Sequence, residues 1–223
     1  MTAISKPVFE KDKIRMYAYN GACFNPFCPS ESDVDINIIA HSLANQCRFN
    51  GLCSDFYSVA QHCVLVSEYI VNYILHTDRN GSDRFQDLSD ERTFMWEFAM
   101  AGLLHDASEA FIVDIPRPIK NSEIFKEYIC LENEWMRCVS SHFNVDFNRF
   151  DSEIVKGADD AVLMVEARDL MGGACSIPMG AIDSLLEPYI SPVGPKEAKK
   201  MFLDRYYTVR NTIKRKSGGR LHP

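Results

Sequence analysis

The stretch Gly102–Pro118, GLLHDASEAFIVDIPRP, sets His105, Asp106, Glu109 and Asp114 among Leu103, Leu104, Ala107, Ala110 and Phe111. A carboxylate buried without a partner costs several kcal/mol, so a chain that keeps three of them in an apolar segment is expected to supply a cation. On a helix Glu109 follows His105 by four positions and Asp106 by three, which puts it on the same side as both. His105 and Asp106 differ in direction by roughly 100°, so both can reach one ion lying between them. Adjacent ligands of this kind fit a metal. Pro116 and Pro118 stop the helix, because a residue preceding proline avoids the helical region. Asp114 then sits just past the helix end, able to fold back toward Glu109. A single histidine on an apolar helix is more often a hydrogen-bonded core residue; four ionisable groups in so short a span weigh against that reading here.

Further ligands must come from elsewhere. The remaining histidines outside the C-terminal tail are His41, His62, His76 and His142. His62 opens a helix with a well-formed apolar face and is expected to point inward. His76 lies about 21 Å further along the same axis, so both cannot touch one ion. His142, at a helix end, is expected to cap it. The segment KGADDAVLMVEARDLM offers Asp159 or Asp160. Periodicity alone leaves both open, and favours Asp159 because it shares its face with Val155, Leu163 and Glu166, whereas Asp160 lies with Lys156, Met164 and Ala167. Cys23 and Cys28 with His41 would form a poor structural zinc site, since their spacing is at the edge of the usual range and no second Cys-x-x-Cys follows.

The elements that must position these groups are nearly all helical. Asp35 caps a helix over Ile36–Cys47, Ser58 caps one running to about Leu75, and others are expected over about Thr93–Phe111, Ser122–Phe143, Glu153–Met171 and Pro195–Lys214. Residues 17–35, rich in turn formers and aromatics, read as an ordered loop or short hairpin. His76–Arg92, which contains Asn80-Gly81, reads as a solvated connection. Residues 1–16 are an N-terminal extension, 17–214 one domain, and 215–223 a basic flexible tail.

Composition narrows the function. The chain has 223 residues, a net charge of −7 and 46% hydrophobic residues, enough for a normal core. It lacks the basic face that holds polymeric nucleic acid and any apolar run long enough to span a bilayer. No secretory signal is read at the N-terminus, so the eight cysteines are expected to be reduced thiols in a cytoplasmic protein.

A histidine, then an adjacent His-Asp pair, then an aspartate on a later helix resembles the HD-domain metal-dependent phosphohydrolases. YSVAQH around His62, LLHDASEAF followed by DIPRPIK, and VKGADDAVLMVEARDLM resemble in particular the small YfbR-like deoxynucleotidases and phage dATP triphosphohydrolases, over about Tyr17–Met171. The resemblance implies an all-α HD-domain bundle of about six helices. It implies His62, His105, Asp106 and Asp159 as ligands of a divalent metal ion (Co, Mn, Zn or Mg), Glu109 and Asp114 as the acidic residues of catalysis, and Arg48-Phe49 as the phosphate-binding arginine with its aromatic neighbour. Lys120 is a further phosphate candidate. Val113 stands where the family commonly has glycine, and Gly51-Leu52 where Gly-His is often seen after the Arg-aromatic pair. The implied function is hydrolysis of small deoxynucleotide phosphates by metal-activated water, as a 5'-deoxynucleotidase or a deoxynucleoside triphosphate phosphohydrolase, in a homodimer or higher homo-oligomer. The alternative is a non-catalytic nucleotide-binding or sensor protein that keeps the metal site.

Overall fold

A computed structural model describes residues 13–79, 88–172 and 189–216. The described chain opens with strands β1 (Met16–Tyr17) and β2 (Cys23–Phe24), paired antiparallel with Met16 opposite Phe24 and Tyr17 opposite Cys23. This is the short hairpin expected, and it includes Met16, one residue before the expected domain start. Helices follow in the order α1 (Ile36–Asn45), α2 (Val59–Arg79), α3 (Leu88–Leu104), α4 (Glu109–Ile112), α5 (Arg117–Lys120), α6 (Lys126–Phe143), α7 (Phe147–Phe150), α8 (Glu153–Leu170) and α9 (Pro195–Lys216). Six of these are long, and α4, α5 and α7 are single turns. The fold is an all-α bundle.

Local chemistry sets the helix ends. The Asp35 carboxylate accepts from the backbone N–H of Asn37 at 2.7 Å and of Ile38 at 3.1 Å, and Ser58 and Ser152 do the same for Gln61 and Val155, each satisfying donors that a helix start leaves free. Asn144 closes α6 in the left-handed conformation. Several ends differ from the sequence reading. α1 stops at Asn45 rather than Cys47, because the next two residues turn extended and pair with the chain before α2: Val59 N–H donates to the Gln46 carbonyl at 3.1 Å and Arg48 N–H to the Tyr57 carbonyl at 2.8 Å. The connection read over His76–Arg92 is helical as far as Arg79 and again from Leu88, since an established helix propagates through polar residues at little cost. A 3-10 turn over Glu123–Phe125 precedes α6, which therefore starts at Lys126 rather than Ser122. α9 runs through Lys216, into the segment read as tail; residues 217–223 lie outside the described chain.

α2 is the central strut, packed against α1, α3, α8 and α9. Its approach to α3 depends on Gly102, where an added Cβ would come 2.5 Å from Ile70 Cδ1 and 3.3 Å from Val66 Cγ1. The missing side chain brings the end of α3 down onto the middle of α2. On the other flank Phe111 stacks on Trp135 with ring centroids 4.0 Å apart, Phe24 meets both edge-on, and Trp135 Nε1–H donates to the Pro26 carbonyl at 2.9 Å. This aromatic group seats the hairpin and the segment after α3 against α6. Among the described residues no helix is long and apolar enough to cross a membrane.

Candidate metal centre

Three segments deliver four donor atoms to one place. His62 stands on the first turn of α2, His105 and Asp106 follow the end of α3, and Asp159 projects from the middle of α8. His62 Nε2 lies 3.3 Å from His105 Nε2, 3.1 Å from Asp159 Oδ1 and 3.8 Å from Asp106 Oδ2. His105 Nε2 lies 3.2 Å from Asp106 Oδ2 and 4.0 Å from Asp159 Oδ1. Donors sharing one divalent ion at about 2.1 Å sit roughly 3 to 3.5 Å apart; the His62–His105, His62–Asp159 and His105–Asp106 separations meet that range, and the other two exceed it by a few tenths of an ångström. Asp160, the other candidate on α8, points away with its side chain 62% exposed.

Each imidazole is aimed by a second contact. His62, fully buried, holds its Nδ1–H against Glu166 Oε1 at 2.7 Å. His105 donates its Nδ1–H to the Gly102 carbonyl at 2.8 Å. Both rings therefore present Nε2 lone pairs to the same point, as metal-ligating histidines do when their other nitrogen is engaged. The bond to Gly102 also corrects the reading of an unbroken helix over Thr93–Phe111. The ring takes a carbonyl of the last helical turn, and the hydrogen bonds that follow reach back three residues: Ala107 to Leu104 at 3.0 Å and Glu109 to Asp106 at 3.0 Å. His105 and Asp106 thus sit in a tight turn between α3 and α4, still facing one point.

Glu166 and Arg117 escaped the sequence reading as site residues. Glu166 is 0% exposed and shares its second oxygen with Arg48, whose guanidinium donates to Oε2 at 3.0 Å and lies 3.7 Å from Asp106 Oδ2. The signal for it was present, since Glu166 falls two turns after Asp159 on the same face. Arg117, at the start of α5, forks between Asp159 Oδ2 and Asp160, the latter at 2.8 Å. Only its place beside the two prolines could have pointed to it.

The charges are mutually adapted. Burial opposes ionisation of Asp106, but His105, His62 and Arg48 outweigh it and hold the carboxyl below the usual carboxylate range. Asp159 is likewise lowered against the cost of burial, chiefly by the bond from His62. Burial and Arg48 pull His62 down, yet Glu166 and Asp159 raise it on balance; His105 is raised well above its ordinary value by Asp106 despite burial. Glu109 moves the other way. Burial, then Asp106 and Asp114, push its carboxyl well up, and its Oε2 is buried with no hydrogen-bond partner among the described residues.

His105, Asp106 and Asp159 open onto a cavity of about 490 Å³, with His62 buried behind them, and its wall includes Arg48, Phe49, Glu109, Asp114, Arg117 and Lys120. All three residues expected to meet substrate, Arg48, Phe49 and Lys120, are on that wall. Arg48 is tied inward, with Nε buried and without a hydrogen-bond partner among the described residues, and Lys120 is paired with Glu132 at 2.6 Å. Asp114 is held by its backbone N–H on Gln46 Oε1 at 3.0 Å, while Gln46 Nε2 donates to the Glu109 carbonyl at 3.0 Å, so one side chain fixes both acidic residues. Val113 takes a backbone conformation suited to glycine, with φ 89° and ψ 148°, which costs a β-branched residue about 1–3 kcal/mol. Asp114 faces the cavity at that cost. Cys23, Cys28 and His41 form no donor cluster among the described residues; His41 stacks on Tyr19 instead, with centroids 4.0 Å apart.

Fold and site together define an all-α protein with a histidine and aspartate donor cluster at the floor of a cavity walled by both cations and carboxylates. No family model matches the chain. It belongs to the family of Escherichia coli (strain K12) "Uncharacterized protein YfdR", with which it is 32% identical over 184 residues, 79% of this chain and 85% of YfdR. An uncharacterized protein of Rhodobacter capsulatus is 31% identical over 148 residues, 65% of this chain and 66% of its own.

Proposed function

We propose that this chain is an HD-type metal-dependent phosphohydrolase acting on deoxynucleotide phosphates, as a 5'-deoxynucleotidase or a deoxynucleoside triphosphate phosphohydrolase, with dATP the first triphosphate to test. The observation that carries the reading is the convergence of two imidazole nitrogens and two ionised carboxylates from three segments at the floor of the cavity. His62, His105, Asp106 and Asp159 would hold the ion. A divalent cation bound there (Co, Mn, Zn or Mg) supplies a Lewis acid and makes hydroxide available near neutral pH.

The chain's own residues do the rest. Glu109, pushed toward its protonated form and carrying an unpartnered oxygen, gives a proton to the leaving oxygen, and Asp114 is the other carboxyl on the same wall able to exchange one. Arg48 neutralises Glu166 and Asp106 and adds positive charge beside the donors, where a phosphate would be drawn in. Lys120 and Arg117 add positive charge along the wall, and Phe49 offers an aromatic face to a base or sugar. Glu166 acts through His62, fixing its ring.

The test is phosphate release and product chromatography over deoxynucleoside mono-, di- and triphosphates with each of the four metals. Metal-dependent release from one nucleotide class is expected. Stoichiometric metal binding with no release from any of them would reject the hydrolase and leave the nucleotide-binding sensor.

A further inference from the structure

The loop that carries Arg48 is flanked by two thiols. Cys47 Sγ and Cys53 Sγ are 3.6 Å apart, brought together because Phe49, Asn50 and Gly51 all have positive φ, 57°, 55° and 74°, and turn the chain back on itself. Two consecutive non-glycine residues in that region are costly and persist only where the surroundings fix them. Both ends are fixed: Arg48 N–H is bonded to the Tyr57 carbonyl at 2.8 Å and Ser54 N–H to the Leu170 carbonyl at 2.8 Å. Both cysteines are half-buried, and Asn50–Leu52 between them are exposed, so a small reagent has access. Cys53 donates its S–H to the Asp55 carbonyl at 3.0 Å, leaving Cys47 as the freer nucleophile.

We infer that Cys47 and Cys53 are a redox-active dithiol whose reversible disulfide draws in and stiffens the Arg48 loop at the edge of the cavity. With a peroxide as oxidant, the Cys47 thiolate attacks one peroxide oxygen, the O–O bond breaks, and the departing hydroxide takes a proton to become water, leaving a sulfenic acid. The Cys53 sulfur then attacks the sulfenic sulfur, the S–O bond breaks, and a second water leaves. Two thiols lose two electrons and one peroxide gains them. The sulfurs must close from 3.6 Å to about 2.05 Å, which shifts Cys47, the residue next to Arg48. Arg48 reaches both Glu166 and Asp106, so the shift is felt at the donor cluster. The inference goes beyond the hydrolase reading and does not depend on it.

The full-length chain, purified reduced, is treated with dilute hydrogen peroxide and digested without reduction. Trypsin cuts after Arg48, between the two cysteines, so the cross-link appears as a joined pair of peptides, one ending at Arg48 and one beginning at Phe49. That pair, the loss of two titratable thiols and their return with dithiothreitol are expected. Cys47→Ser and Cys53→Ser should each abolish the joined pair, and the buried-site variant Cys63→Ser should leave it. Amide exchange over residues 48–54 should slow several-fold in the oxidised form. A joined pair that survives Cys47→Ser, over-oxidation of either thiol without a cross-link, or unchanged exchange in the cross-linked form would overturn the inference.

Discussion

The floor and the wall of the cavity are built on opposite terms. At the floor, His62 and Glu166 are fully buried, and every donor is gripped twice, once by its neighbours in the cluster and once by Glu166, the Gly102 carbonyl, Arg48 or Arg117. On the wall, Arg117 is 54% exposed, and its bond to Asp160, like that of Lys120 to Glu132, engages a carboxylate outside the donor cluster that can be exchanged for another anion. Rigid donors suit an ion of fixed radius. Displaceable ion pairs suit a substrate that must enter and leave.

Removing a floor ligand should have the largest effect. Asp159→Ala should abolish metal binding by elemental analysis, together with the thermal stabilisation that added metal gives, whereas Asp160→Ala should keep both. The reverse pattern would exchange the roles of the two residues. Glu109→Gln comes next. It preserves shape but cannot carry a proton, so single-turnover rate should fall roughly 10²- to 10⁴-fold with metal content and substrate affinity retained. A near-normal rate would transfer the proton-carrying role to Asp114, and a loss of metal would make Glu109 a ligand.

Glu166→Gln probes the second grip. It weakens the acceptor that orients His62, and metal affinity should drop about 10- to 100-fold while the fold is kept. An unchanged affinity would show that Glu166 serves packing alone. The histidines also give the contrast a pH dependence. Both are raised in the metal-free protein, so the stability they contribute is complete below the unfolded value of about 6.5 and is lost as pH rises through their folded values. A metal needs them neutral, so its stabilising effect should be larger at about pH 8 than at about pH 6. Melting curves with and without Mn²⁺ at the two pH values check this, and an equal or smaller effect at the higher pH would contradict it. The wall gives the smallest change. Arg117→Gln removes an exposed pair with Asp160 worth roughly 0–1 kcal/mol and a contact to the largely buried Asp159, so melting temperature should move only slightly and KM should rise only a few-fold. A loss of bound metal on that substitution would place Arg117 with the floor.

Much of the floor was legible in the sequence because its parts are periodic or adjacent. The inward face of α2 located His62, the phase of α8 favoured Asp159 over Asp160, and the caps at Asp35, Ser58 and Pro195 marked three helix starts. What the sequence hid depends on partners far away along the chain. The early end of α1 follows from pairing across Gln46–Val59, and the interruption after Leu104 follows from an imidazole competing for a backbone carbonyl. Glu166 was visible as a neighbour of Asp159, but its task depends on His62, a hundred residues earlier and on another helix.

The tight turn after α3 bears on how this segment can vary. Between Gly102, which must stay small against Ile70, and Glu109, every residue is placed by counting: the carbonyl at 102 serves the ring at 105, and the amide at 109 closes on the carbonyl at 106. A side chain here can be exchanged at the cost of its own contacts. One residue added or deleted would swing all that follows by roughly 100° and dismantle the floor at once. Related chains are therefore free to drift in composition through this stretch while its length stays fixed, and insertions should accumulate in the segments that join the long helices.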